Sequence, residues 1–443
     1  MAVRVAVIGG GLAGLFTASE LMSAGIEDVL VLDESAKPGG IARTIQQGGY
    51  SLEPAAGILL LPHPHLSPLL ARIGADVVPA EPSAAIRYAY TRGRLVHLPA
   101  SPRAVLAPLV PPTAKLRAAV EPFVRTPARS KDESLDAFLR RRFGDGAGGM
   151  LAWLAASGVF AGDSKRLSAR AAFPALTALE DEAGSIVRGG LRQFRKRRTG
   201  ATRRTRHVPI GGMTGLAEAA ARGLGERFRG TFTVASVQRD ASGWLVEGPE
   251  TIRADQVVVA SRPEEAAALV GGDLGTVLGQ AVSAPAVVVG LGGPSDRLRL
   301  PPGFGVLTGP DAGTVSLGVL FESLYAPARA PRGHALAKVI AGGARAPELV
   351  DWDDSRIIER VRGEVEHILG TDIEPSFIEI VRHRAGIPQY EIGHNAWLGE
   401  IDRQLGHSPG LHLTGWGYRG VGIGHLATDA VATVGRVLHG EEA

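Results

Sequence analysis

The feature that most constrains this chain is a run of glycines at a strand-to-helix junction within its first fifteen residues. Val3 to Ile8 reads as a short apolar strand, Leu12 to Ala24 as a helix closed by Gly25, and Val29 to Asp33 as a second strand. Neither strand alternates cleanly, as expected where helices cover both faces of a sheet. Between strand and helix stands Gly9-Gly10-Gly11-Leu12-Ala13-Gly14, which fits G-x-G-x-x-G. Gly9 permits the tight turn, Gly11 lets backbone approach a pyrophosphate, and Gly14 lets helix and strand pack closely. The free N–H groups and dipole of the helix N-terminus favour the anion. Asp33, 19 residues after Gly14, ends the second strand, where a carboxylate accepts from a ribose hydroxyl. The βαβ unit is therefore a Rossmann-like dinucleotide site.

The motif extends through Ser35, Lys37, Gly39-Gly40 and Arg43. That spacing resembles the fingerprint of the FAD-dependent amine oxidase and desaturase superfamily, which implies FAD as the cofactor, with Gly39, Gly40 and Arg43 meeting its phosphates. A second glycine-rich turn, Gly415 to Gly424, runs into a helix near the C-terminus. In the superfamily such a turn passes under the flavin, with the helix N-terminus at the flavin edge that gains negative charge on hydride transfer. The resemblance thus adds Gly415, Val421, Gly422 and Ile423, and also Val237 on a strand from Phe232 to Arg239, to the cofactor-binding residues.

The chain contains no cysteine. Disulfides and thiolate chemistry are excluded, and redox chemistry falls to a bound cofactor. A net charge of only +3 gives no global field for nucleic acid. The N-terminus is too short in apolar residues for a signal peptide, and proline interrupts the longest uncharged runs, so no spanning helix is expected. We expect a cytoplasmic protein, with peripheral membrane attachment open. Arg188 to Arg206 holds nine Lys or Arg and no acid. A solvated loop is one reading and contact with anionic lipid is the other; the lack of interleaved aromatics from Arg195 to Arg206 argues against nucleic acid. His63 and His65 flank Pro64, with no further ligands to suggest a metal site.

The fold class expected is α/β, an FAD-binding domain in several segments (1–81, 206–270 and 405–443), a second-sheet substrate domain (271–404) and a mostly helical insertion (82–205). In the insertion, Asp132 to Arg142 reads as a helix with Ser130 or Asp132 as N-cap.

Several stretches narrow the resemblance. Arg87-Tyr88-Ala89-Tyr90 with Leu98-Pro99, Ser157-Gly158-Val159-Phe160-Ala161-Gly162-Asp163, Gly303-Phe304-Gly305-Val306-Leu307, Ala385-Gly386-Ile387-Pro388-Gln389-Tyr390 and Tyr418-Arg419-Gly420-Val421-Gly422 resemble the protoporphyrinogen oxidase family, in order along nearly the whole chain. In that family FAD removes hydride from a porphyrinogen, commonly with oxygen as final acceptor, in haem synthesis. The resemblance implies that Arg87 meets a propionate of a tetrapyrrole and that Gly158, Phe304, Leu307 and Ile340 flank the macrocycle. No catalytic base is implied, and a homodimer is open. Two departures stand out. Gly57 in Glu53-Pro54-Ala55-Ala56-Gly57 replaces an Asn, and Trp416, Gly424 and His425 stand at or near places usually held by Asn and Asp. These departures keep open another FAD oxidase or desaturase, or a flavin-binding protein without turnover.

Overall fold

The computed structural model describes residues 1–98, 109–125, 132–197 and 204–439. Two seven-stranded sheets organise it. In the first, Ala2–Ile8 lies between Val29–Leu32 and Ile252–Val259, parallel to both. Phe228–Arg229 extends one side in parallel, and the antiparallel strands Gly243–Glu247 and Ser236–Asp240 extend the other. Leu411–Leu413 adds in parallel to Ile252–Val259. Alternate residues of the first strand enter two separate cores. Val5 and Val7 pack on the helices Leu12–Ser23, Gly212–Arg222 and Ile423–His439, while Val3, Ala6 and Ile8 pack on the opposite layer. Burial on both faces explains the missing alternation in the sequence. The strand expected from Phe232 begins at Ser236, because the Phe232 N–H is already bonded to the Asp33 carbonyl at 2.8 Å.

The second sheet runs, in spatial order, Phe377–Pro388, Ser283–Pro294, His334–Gly342, Ser316–Leu320, Gly305–Thr308, Arg87–Thr91 and Arg94–Leu98. One face buries Val287, Val289, Val306, Val319 and Val339 against the helix Asp354–Leu369, whose N-terminus is capped by the Asp353 carboxylate. The last two strands come from the segment expected to be mostly helical. Arg87–Thr91 pairs in parallel with Gly305–Thr308 and forms a hairpin with Arg94–Leu98. The hairpin turns at Arg92 and Gly93, both at positive φ, a geometry matched to strand twist.

The rest of the insertion is helical where described. Its long helix, Leu135–Phe160, is interrupted at Gly144 (φ 79°, ψ 168°). Ser134, rather than Ser130 or Asp132, is its N-cap, accepting from the Ala137 N–H at 3.1 Å. Asp132 instead receives the Ser168 hydroxyl and the Gly393 N–H, tying the insertion to the start of the helix His394–Leu405; Ser130 lies outside the described residues. Arg142, fully buried, pairs with Glu121 and Glu180. Arg188 to Arg197, expected as part of a loop, belongs to the helix Ile186–Arg197. Among the described residues, no helix is long and apolar enough to cross a membrane.

Candidate active site

The dinucleotide turn is built by close backbone approach. A Cβ on Gly14 would stand 1.9 Å from the Gly9 carbonyl oxygen, so helix and strand meet at a distance only glycine allows. Gly9 itself sits at φ +109°. Gly11, by contrast, faces open space, with nothing within 4 Å of where its Cβ would be. Gly11 is also the N-cap of Leu12–Ser23, and no side chain caps that helix and no acid lies in its first turn. Unsatisfied N–H groups therefore face an open cradle, which fits an anionic diphosphate. Gly39 bridges to Gly11 and donates its N–H to the Gly10 carbonyl at 2.8 Å, while Gly40 lies across Gly11. Arg43 is exposed at the end of this loop. Asp33 accepts from the N–H groups of Gly10 (2.5 Å) and Ser35 (2.8 Å) and remains half-buried at the rim. Val237 is buried within the sheet core and pairs with Val246.

The C-terminal turn reaches the same place from the other side. Gly415, at φ +123°, packs beside Ala13 of the first helix. Asp429 fixes the turn by accepting from the Gly415 N–H (3.0 Å) and the Thr414 hydroxyl (2.8 Å). The Gly420 N–H donates to the Tyr390 hydroxyl at 2.7 Å, and Val421 packs on the core of the insertion. Gly422 lies half-buried, and Ile423 opens the helix Ile423–His439 with its side chain in the first core. The turns that carry Gly11, Gly40 and Gly415 thus converge, whereas the Val237 side chain is buried in the sheet core. The dinucleotide turn, the double glycine and the free helix N-terminus fit FAD.

On its other face the second sheet meets the insertion, where Ala89 and Leu307 pack with Trp153. Pairing places Leu307 beside Ala89 and Gly318, Gly318 beside Ile340, and Arg87 beside Gly305. Arg87, Ala89, Leu307 and Ile340 therefore share a face. Gly158 joins them, its Cβ position 3.4 Å from the Leu307 side chain. Arg87 is half-buried, its Nε has no partner, and burial lowers its pKa with no carboxylate opposing the shift. Phe304 lies somewhat apart, stacking on Tyr325 at 4.9 Å between ring centroids and packing with Ala84, Val208 and Ile58.

A buried ionic group, unforeseen in the sequence, joins the second sheet to the 53–57 loop. Glu322 pairs with Arg329 and with Lys338, the latter at 2.9 Å. Lys338 also donates to the Glu53 and Ala55 carbonyls, Arg329 to the Gly57 carbonyl at 2.6 Å, and His383 bonds to the Pro54 carbonyl at 3.0 Å. The Glu53 carboxyl accepts from Thr44 and the Met213 N–H through Oε1, leaving Oε2 buried without a partner. Burial pushes its pKa up to about 6 despite the nearby Arg329. Gly57 has no room for a side chain, because a Cβ there would lie 2.9 Å from the Glu53 Cβ and 3.1 Å from Arg329. One signal was available: Lys338 is a lone charge in an otherwise apolar strand, which calls for a buried partner. His63 is half-buried and accepts the His65 and Leu66 N–H groups on Nδ1. Its ring packs against Gly424.

The flavin containing amine oxidoreductase profile matches residues 12–423. The chain belongs to this family. It is a flavin-dependent oxidoreductase, and the glycine turns and Asp33 fit FAD as the flavin. It is 28% identical to the chloroplastic protoporphyrinogen oxidase of Oryza sativa subsp. japonica, over 97% of this chain and 87% of that protein. It is 25% identical to the coproporphyrinogen III oxidase of Bacillus subtilis (strain 168), over 98% of each. Among solved structures of this fold, it resembles a protein of Exiguobacterium sp. 255-15 provisionally named a protoporphyrinogen oxidase, with a TM-score of 0.82 and 21% identity over 100% of this chain and 99% of that one. The cyclohexylamine oxidase of Brevibacterium oxydans IH-35A matches at a TM-score of 0.72 and 16% identity over 100% of both chains. The resemblance to protoporphyrinogen oxidases read from the sequence thus holds along the whole chain.

Proposed function

We propose that this oxidoreductase converts a porphyrinogen to its porphyrin in haem synthesis, with oxygen as the final acceptor. The observation that carries the reading is Arg87, a half-buried guanidinium without a partner at Nε on the same sheet face as Leu307 and Ile340. A flat apolar ring with carboxylates at its rim needs apolar walls and such a cation. The similarity to both protoporphyrinogen and coproporphyrinogen oxidases supports the same substrate class. When bound, FAD supplies the two-electron hydride acceptor. The chain's part is to orient the macrocycle: Gly158 leaves space against Leu307, and Arg87 fixes a propionate. The test is mixing with protoporphyrinogen IX and coproporphyrinogen III, following flavin bleaching without air and porphyrin fluorescence in air. If neither substrate reacts faster than it oxidises spontaneously, the reading fails.

We also propose that the protein is cytoplasmic and meets anionic membranes through its insertion. Phe123 (81% exposed) and Phe194 (62% exposed) stand with Leu116 and Leu191 at the surface. Arg188 lies over the Phe123 ring, and Arg192 and Arg195 share its helix. Apolar side chains interleaved with arginine suit the boundary between acyl chains and anionic headgroups.

A further inference from the structure

Arg87 is not the only cation beside the expected substrate-binding residues without a counter-ion among the described residues. The strand Thr205–Pro209 belongs to a small sheet with Leu59–Leu61 and Val77–Pro79. Val208 on this strand packs against Tyr325, and Arg206, two residues away on the same side, places its guanidinium 5.0 Å from the centre of the Phe304 ring. Phe304 immediately precedes Gly305, the sheet partner of Arg87. Arg206 thus reaches Phe304, whose neighbour Gly305 pairs with Arg87, from a different element. Arg204, a further two residues along, lies near His63 and His425, whose pKa values are lowered first by burial and then by Arg204. Neither Arg204 nor Arg206 forms an ion pair with a described residue. Like charges gathered without an acid repel one another, and a polyanionic ligand relieves that repulsion.

We propose that Arg206, seconded by Arg204, determines specificity by binding carboxylates on the edge of the macrocycle that Arg87 does not reach, selecting a tetrapyrrole with four carboxylates over one with two. The inference rests on the porphyrinogen reading above. Coproporphyrinogen III carries a propionate on every pyrrole ring, whereas protoporphyrinogen IX carries propionates on one edge and vinyl groups on the other. A cation facing vinyl groups gains nothing; facing propionates it forms charge-assisted bonds.

The test is the ratio of kcat/KM for coproporphyrinogen III to that for protoporphyrinogen IX in the flavin-loaded wild type, Arg206→Gln and Arg206→Lys. Fluorescence titration with coproporphyrin III and protoporphyrin IX measures binding without turnover. Loss of a charge-assisted bond predicts a ratio lower by about tenfold or more in Arg206→Gln, in both measurements. Arg206→Lys should recover part of it, since charge is kept and the planar fork is lost. Thermal unfolding and flavin content identify any variant that fails to fold. In folded Arg206→Gln, an equal loss for both substrates, or an unchanged ratio, overturns the inference and leaves the porphyrinogen reading standing. A wild type that oxidises and binds neither tetrapyrrole overturns both.

Discussion

Lys338 donates its ammonium to the main-chain carbonyl of Glu53, 2.9 Å away, and so fastens a strand of the substrate sheet to a loop of the cofactor half. The same ammonium pairs with buried Glu322. Lys338→Met removes both contacts and leaves Glu322 with Arg329 alone. Truncating one member of a buried ionic group costs about 3 kcal/mol or more. The expected result is a lower urea midpoint, together with weaker flavin retention as the 53–57 loop loosens.

Glu53 adds a pH dependence. Its folded pKa of about 6 lies above the usual carboxylate value of 4.5, so the native state holds the proton more tightly than the unfolded chain. Its contribution is therefore most favourable below pH 4.5 and declines as pH rises through 6, by about 2 kcal/mol. Glu53→Gln cannot ionise. Wild type and variant compared by urea unfolding should diverge across this window, the variant gaining relative stability with rising pH. A pH-independent difference would show that Glu53 binds its proton equally in the folded and unfolded states, with no raised pKa.

Two glycines of one motif should fail in different ways. Gly14→Val drives a side chain into the Gly9 carbonyl and should prevent folding. At Gly11→Val the added Cβ has no protein atom within 4 Å, so the variant should fold and unfold near the temperature of flavin-free wild type. It should nevertheless purify colourless, because the side chain occupies the pyrophosphate cradle. Yellow Gly11→Val would remove that site from the cofactor path.

Arg87→Ala should lower kcat/KM for the porphyrinogen by about ten- to a hundredfold, the worth of one charge-assisted bond in an apolar cleft. Flavin content should be unchanged, since Arg87 lies on the substrate sheet. Arg87→Lys should recover only part of the loss.

Membrane attachment should combine charge and apolar contact. Binding to anionic vesicles should weaken in 1 M salt, where screening acts within about 3 Å, yet persist in part. Phe123→Ala with Phe194→Ala should abolish the remainder. Binding lost completely in salt by the wild type would assign attachment to the basic residues alone.

The cofactor half was legible because its signals are local. A strand, a glycine turn, a helix and Asp33 follow one another within a short stretch of chain, and the steric need for glycine is written in the motif. The strands Arg87–Thr91 and Arg94–Leu98 were hidden by proline- and alanine-rich neighbours, although Arg92-Gly93 carries a hairpin signal. The Glu53, Glu322, Arg329 and Lys338 group was illegible for a different reason. Glu53 is remote in sequence from Glu322, Arg329 and Lys338, and only the folding of the 53–57 loop onto the second sheet brings it to them. Arg206 was read as one charge in a basic run; its place over Phe304 depends on a small sheet whose strands are equally distant in the chain.

The strand Leu411–Leu413 and the helix after it complete a sheet begun by Ala2–Ile8. During synthesis the first glycine turn leaves the ribosome long before its C-terminal counterpart exists. The newborn chain must therefore wait with an unfinished hydrophobic layer over Leu15 and Phe16, which the final helix later covers. The cradle between the first and last glycine turns is completed only when the C-terminal helix has been made, so cofactor loading becomes a late event in the life of the chain.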